Sequence, residues 1–463
     1  MATMDKDVLN ADEIWRKDRD HILHPWTHFD SFREGGSLAV ARGEGCYIFD
    51  TNGQRYLDAN GGLWCNNIGL GRKDMAVAIA EQVERLAYSN TFSDMTSVSA
   101  AELAAKLAEI APGNLNHVFF TTGGSQAIDT AYRLIQFYQR TRGKVEKRHI
   151  ISREGSYHGS TYMAMSIGGK KADHIPQFDY ETETIHHVSS PNVYRAPDGM
   201  SESEFCDHLI DELESKIQEL GSDEVAAFFA EPIMGAGGVI VPPADYHRRT
   251  RELCTEHDVL YVSDEVITGF GRLGEWFSAK DVFGIQPDLI TCAKGITSGY
   301  LPLGGLLYSD EIHEVISGPD PERVFAHGFT YSGHPVCCAA ALENIRIIED
   351  EHILEQVREN GPYLQARLRE LLELPTVGDV RGLHLMACVE SVEDKATKRP
   401  FPDDVNIGKR VSSKCQEAGL IVRPIAHLNV LSPSLIITRQ QIDFCVDTLA
   451  EAIIAVGKDL GVN

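Results

Sequence analysis

The chain is poor in basic residues: 43 Lys and Arg stand against 68 Asp and Glu, a formal charge of −25. That balance argues against a nucleic-acid or anionic-membrane partner, since both demand clustered cations. Long apolar runs are missing too, with nothing near the roughly 18 residues of a membrane span. The opening Met1-Ala2-Thr3-Met4-Asp5-Lys6-Asp7 has neither the basic nor the apolar region of a signal peptide. Ten cysteines are scattered without a C-x-x-C, most of them inside apolar runs such as His384-Leu385-Met386-Ala387-Cys388-Val389. Neither a disulfide framework nor a metal site is expected from them. The glycine run Gly235-Ala236-Gly237-Gly238 leads into Pro242-Pro243 rather than a helix. A dinucleotide site is therefore disfavoured. Repeats and low-complexity segments are absent. The expectation left is a soluble cytoplasmic protein with reduced thiols.

What is present is a large apolar supply, 43% of 463 residues, enough by length for two or three domains. Short apolar runs recur through the middle: His117 to Phe120, His149 to Ile151, Ala226 to Phe229, Val259 to Val262, Leu289-Ile290 and Leu303 to Tyr308. Helical patterns separate them. Ala127, Ala131, Leu134, Ile135 and Tyr138 fall on one helix face, and another helix is read around Tyr246 to His257. Continuous apolar strands predict a mostly parallel sheet covered on both faces, an α/β fold with its chemistry at the strands' carboxyl ends. The flanks differ. Residues 1–70 carry an aromatic stretch (Trp15, Trp26, Phe29, Phe32) and a hairpin, Cys46 to Leu57, turning at Asn52-Gly53. Residues 335–463 show long helices over Val336 to Glu349 and Leu354 to Leu374, strands over Val377 to Glu390, and a last helix. A capping box at Thr438 to Gln441 opens that helix. The division expected is an N-terminal segment 1–70 joining a smaller α+β domain 335–463, around a large domain 71–334.

At those strand ends stand residues of definite chemistry. Asp288 to Ala293 ends on Lys294-Gly295, and Val259 to Ser263 delivers Asp264-Glu265. A lysine and an acid so placed suit pyridoxal 5′-phosphate (PLP): the amine forms a Schiff base, and the carboxylate keeps the pyridine nitrogen protonated. Thr121-Thr122-Gly123-Gly124-Ser125 follows a strand and opens a helix, a cradle for an anion. Val266 would pack on one face of the ring and Tyr157 would stack on the other. Singly, each has a bland alternative: a surface lysine, a helix cap at Gly124-Ser125, a turn cap at Asp264, a core tyrosine at Tyr157.

Together they resemble the class III PLP-dependent aminotransferases, fold-type I enzymes. The matching segments are Asp264-Glu265-Val266-Ile267-Thr268-Gly269-Phe270-Gly271-Arg272, Ala293-Lys294-Gly295, Ser156-Tyr157-His158-Gly159-Ser160-Thr161 and Gly328-Phe329-Thr330-Tyr331-Ser332-Gly333-His334-Pro335. The resemblance implies Lys294 as the Schiff-base lysine, Asp264 on the pyridine nitrogen, and Gly124 and Ser125 on the phosphate. It also implies Thr330 reaching the phosphate of a second subunit in a homodimer or tetramer. Gly61-Gly62-Leu63-Trp64-Cys65-Asn66-Asn67 and Gly419-Leu420-Ile421-Val422-Arg423-Pro424-Ile425 resemble the amine:pyruvate branch, the ω-transaminases. That implies a substrate pocket of Leu63, Trp64, Tyr88 and Ile267, with Arg423 as a mobile carboxylate clamp; a surface arginine is the alternative for Arg423. Two positions depart from the pattern: Ala236, where the aminobutyrate and ornithine branch has glutamate, and Gln126, where the family has glutamate. The expected reaction is ping-pong transfer of an amino group to pyruvate. The donor stays open among taurine, β-alanine, putrescine and aryl-alkyl amines. The rivals are an aminomutase, racemase or decarboxylase on the same scaffold, a nucleotide-binding protein, and a non-catalytic protein.

Overall fold

The computed structural model describes residues 10–28, 36–320 and 322–462; Met1 to Asp7, Phe29 and Phe32 lie outside the described residues. An antiparallel ladder comes first, β1 (Val40–Glu44), β2 (Tyr47–Asp50) and β3 (Arg55–Asp58). Tyr47 pairs with Leu57 and Phe49 with Arg55, around the turn that Asn52-Gly53 predicts. Asp50 fixes that turn: its Oδ1 accepts from the amides of Asn52 (2.9 Å) and Gln54 (2.8 Å). Gly53 adopts φ 82°, which a side chain would resist.

Seven strands build the main sheet: β4 (His117–Thr121), β5 (His149–Arg153), β6 (Ile185–Val188), β7 (Val225–Ala230), β8 (Leu260–Asp264), β9 (Leu289–Cys292) and β10 (Gly304–Tyr308). Their order is β4-β10-β9-β8-β7-β5-β6. All of β7 is buried, and adjacent residues face opposite layers. Phe228 packs with Phe205, Leu209 and Tyr246, whereas Phe229 packs with Ile128 and Leu134. Both faces are covered, which is why the strand reads as one apolar run.

Two features differ from the sequence reading. β10 runs antiparallel to both β4 and β9, so the sheet is mixed. The run Leu303 to Tyr308 is buried in either direction, and apolarity carries no sense of direction. β6 is an additional edge strand, parallel to β5. Its central His186 and His187 hide it from an apolar scan, yet they are only half-buried, and His187 Nε2 donates to the Ile167 carbonyl at 3.1 Å.

The rest of the chain adds β11 (Val377–Leu383), β12 (Met386–Asp394), β13 (Arg399–Pro400), β14 (Leu420–Ile421), β15 (Arg423–Ile425) and β16 (Leu428–Leu431). A helix Arg439–Asp459 follows, opened by the Thr438–Gln441 capping box. β14 joins β3 in parallel, with Leu420 opposite Leu57. The two chain ends share a core as well, Leu57 and Ile68 lying with Val411, Leu431 and Leu449. Each such fully buried aliphatic side chain contributes about 1.5–3 kcal/mol relative to exposure. The helix Pro335–Asp350 belongs to two cores at once: Cys338, Ala341 and Ile345 pack with β4 and β10, while Ala340, Ile347 and Ile348 face the terminal core. Among the described residues, no helix is long and apolar enough to cross a membrane and no cluster could hold a metal ion. The ten cysteines are free thiols, nine of them buried.

Candidate active site

The carboxyl ends of the parallel strands converge, as such sheets dictate. Gly123-Gly124-Ser125 follows β4, Tyr157-His158 follows β5, Glu231 follows β7, Asp264 ends β8 and Lys294 lies just past β9. They meet at a cavity of about 500 Å³. Gly124, Ser125, Tyr157, Asp264, Val266 and Lys294 line it, and so do Leu63, Trp64, Ile267 and Arg423. Ten residues scattered over 361 positions of sequence (423 − 63 + 1) thus share one hollow.

Close backbone approach makes the cradle. A Cβ on Gly124 would sit 3.0 Å from the Cγ atoms of Val266, so Val266 lies directly against the loop. Gly159, at φ 140°, brings its turn flush onto Ser125, where a Cβ would meet Ser125 Oγ at 2.5 Å. Ser125 Oγ accepts from the Ser160 amide at 3.0 Å. The helix Gly124–Thr141 starts here, and the amides of its first turn point out with no carbonyl of their own helix to bind. Gln126 adds no charge beside them. Lys294 itself has φ 46°, a strained conformation for a side-chain-bearing residue, costing on the order of 1–3 kcal/mol. Trp64, at φ 65°, is presented by a loop that Asp58 ties down through the amides of Asn60 (3.0 Å) and Gly62 (2.7 Å).

The charges are arranged unevenly. Asp264 accepts from His158 Nδ1 (2.7 Å), Thr291 Oγ1 (3.1 Å) and the Val266 amide (3.2 Å). His158 is buried, and its other nitrogen, Nε2, has no partner among the described residues. Glu231 is buried too; its oxygens take the amides of Tyr157 (3.0 Å) and Gly235 (2.9 Å). Burial pushes the Glu231 carboxyl up from its ordinary value, Asp264 adds to this, and His158 opposes it. Burial pulls the Lys294 amine down to about 8, against the attraction of Asp264 and helped by the repulsion of Arg423. Arg423, on β15, is likewise held below its ordinary value by burial, with Tyr157 and Asp173 pulling the other way. Neither the Lys294 amine nor the Arg423 guanidinium makes a hydrogen bond or ion pair with a described residue. The site holds an amine and a guanidinium without hydrogen-bond partners beside Asp264 and Glu231, two carboxylates fixed by their own donors.

Tyr88 and Thr330 do not line this cavity. They lie against each other on the exposed surface, with the Tyr88 hydroxyl donating to the Thr330 carbonyl at 2.9 Å. Four contributors were not picked out from sequence. His158 lies in the Tyr157-His158-Gly159 segment, and no local sequence marks its partner, because Asp264 is 106 residues away. Glu231 stands two residues past the apolar run Ala226 to Phe229, with no local motif to give it a role. Trp26 and Asp173 line the cavity with no local motif to mark them.

A chain with this fold and this lysine-centred site matches the family model "Aminotransferase class-III" over residues 32–453. It belongs to that family. It is 43% identical to the putrescine--pyruvate aminotransferase of Pseudomonas aeruginosa over 462 residues, spanning 98% of this chain and 100% of that one. Among solved structures it resembles an (S)-enantioselective omega-transaminase from Thermomicrobium roseum at TM-score 0.94 and 43% identity, covering 96% of this chain and 99% of that one. An omega-transaminase from Pseudomonas jessenii, solved in complex with PMP, gives TM-score 0.94 and 37% identity over 97% and 99% of the two chains. The family and that complex together imply a cofactor of the pyridoxal phosphate type.

Proposed function

We propose that this protein is a PLP-dependent transaminase that moves an amino group from a primary amine to pyruvate in two half-reactions, leaving alanine and an aldehyde or ketone. The residues present fit the cofactor. The outward amides of the helix Gly124–Thr141 and Ser125 Oγ suit its phosphate, and Val266 and Tyr157, both lining the cavity, suit the faces of a flat ring. Asp264, held by three donors, suits a ring nitrogen that must stay protonated. Lys294, free of partners, suits the covalent anchor. When bound, the cofactor supplies an electron sink and a carrier for the amino group.

The chain's own residues do the rest. Lys294 Nζ, poised near neutrality, removes the proton from the amine-bearing carbon of the donor and returns one to the carbonyl carbon of pyruvate. His158 braces Asp264 against rotation. Leu63, Trp64 and Ile267 wall the donor's side chain and keep water off the reacting carbon. Arg423 takes the pyruvate carboxylate as a bidentate partner and turns aside for a donor that lacks a carboxylate.

The observation carrying this reading is the unpartnered Arg423 guanidinium facing the same cavity as Lys294 and Asp264. Ala236 in the cavity wall offers it no counter-charge. Tyr88 and Thr330, exposed here, fit a role at the site of a second copy, so a homodimer is part of the proposal. A reducing, cytoplasmic setting agrees with ten free thiols. The test is stoichiometric. Enzyme converted by an amine and freed of excess donor is given pyruvate. One alanine per site with return of the original absorbance supports the transaminase; an aminomutase, racemase or decarboxylase gives no such return.

A further inference from the structure

Three carboxylates line the cavity: Asp173, Glu231 and Asp264. Glu231 has both oxygens held by backbone amides, and Asp264 has both held by His158, Thr291 and Val266. Asp173 is different. It ends the short turn Lys171–Asp173 and is 9% exposed. Its Oδ1 accepts from Trp26 Nε1 (3.2 Å) and Lys170 Nζ (3.1 Å), while Oδ2 takes no hydrogen bond from a described residue. Two hydrogen bonds tie the turn: the Asp173 amide donates to the Lys170 carbonyl at 2.9 Å, and the Tyr180 hydroxyl donates to the Asp173 carbonyl at 3.2 Å. Trp26 also stands edge-on to Tyr157, with ring centroids 6.2 Å apart. Acid and aromatics therefore form one side of the cavity, and Asp173 is near enough for its charge to act on Tyr157 and Arg423.

We infer that Asp173 receives the distal ammonium of an α,ω-diamine donor whose near amine reacts at Lys294 and whose methylenes lie along Trp26 and Tyr157. This rests on the transaminase reading above and names its donor class. A buried carboxylate with a vacant oxygen is a strong acceptor for an ammonium. Lys170, whose side chain is 27% exposed, is a flexible counter-ion that can swing to solvent as the donor enters. A monoamine of the same length leaves Asp173 to Lys170 alone. An ω-amino acid sets a second carboxylate against it, so the order expected is diamine, monoamine, ω-amino acid.

The experiment uses the holoenzyme with pyruvate and measures alanine formed from 1,4-diaminobutane, n-butylamine and 4-aminobutyrate. In Asp173→Asn the ratio of kcat/KM for diamine over monoamine should fall about 10- to 100-fold, the scale of one charge-assisted hydrogen bond, mostly through KM. Asp173→Glu should recover part of the ratio, and Lys170→Gln should raise it. General damage to the fold lowers both donors together and leaves the ratio alone. A ratio unchanged in an active Asp173→Asn enzyme overturns the assignment of Asp173 and spares the transaminase reading. A wild-type enzyme that makes no alanine from any amine overturns both.

Discussion

Arg423→Ala is the substitution that separates a carboxylate clamp from a structural arginine. The guanidinium faces the cavity, carries no hydrogen bond or ion pair, and projects from a three-residue strand paired to β16 through Val430. Removing it breaks no contact that holds the fold, so stability should change little. A bound carboxylate would lose its bidentate partner. Buried charge pairs of this kind are worth about 2–5 kcal/mol on truncation, and a half-buried arginine belongs in the lower part of that range. About 2–3 kcal/mol, roughly 30- to 150-fold, should therefore be lost from the pyruvate half-reaction. The half-reaction with a carboxylate-free amine should change far less. Single-turnover absorbance measurements of each half, on the same enzyme preparation, give both numbers. Equal losses in the two halves would refute the clamp and leave Arg423 as a support of the fold or of a subunit contact.

Lys294→Ala should abolish transamination while PLP still binds noncovalently through the cradle and Asp264. Borohydride reduction of the native enzyme followed by peptide mapping must place the cofactor on Lys294 and no other lysine. Asp264→Asn should cost about 3–4 kcal/mol in transition-state stabilisation with an unaltered circular dichroism spectrum, and near-normal turnover would end the proposed role. In the cofactor-free chain, Lys294→Met should melt higher than the unsubstituted protein near pH 7. The amine's value is lowered in the fold from 10.5 to about 8. The unfolded chain therefore binds more protons between those limits, and the penalty, full below about 8, shrinks as pH rises to about 10.5. Melting curves across that window check it, and a constant gap would contradict it.

Much of the main sheet could be read from the chain because its strands are buried on both faces. Phe228 and Phe229 belong to different layers, so no polar residue interrupts the run. The same physics concealed the direction of β10, since an apolar strand is equally buried either way. β6 was concealed for the opposite reason: its half-buried histidines suit an edge and break the pattern. Most of the candidate site was legible because Gly124, Asp264 and Lys294 each sit where a strand stops, a place that local sequence marks. His158 against Asp264 and Trp26 against Asp173, 106 and 147 residues apart, are products of tertiary packing alone. The mutual contact of Tyr88 and Thr330 outside the cavity was equally invisible, being a surface pairing of distant segments.

The pairing of β3 with β14 joins Leu57 to Leu420, residues 363 apart (420 − 57). During synthesis the N-terminal hairpin therefore waits, its partner unmade, until almost the whole chain has left the ribosome. The cavity waits with it, because Trp64 hangs just beyond β3 and Arg423 just beyond β14. The sheet that bears Asp264 and Lys294 can assemble earlier from nearer neighbours, so a nascent chain would possess its reactive residues before it possesses walls around them. Losing the last fifty residues should then be as damaging to the pocket as losing the first sixty. Separately expressed end fragments should restore it only when both are supplied together.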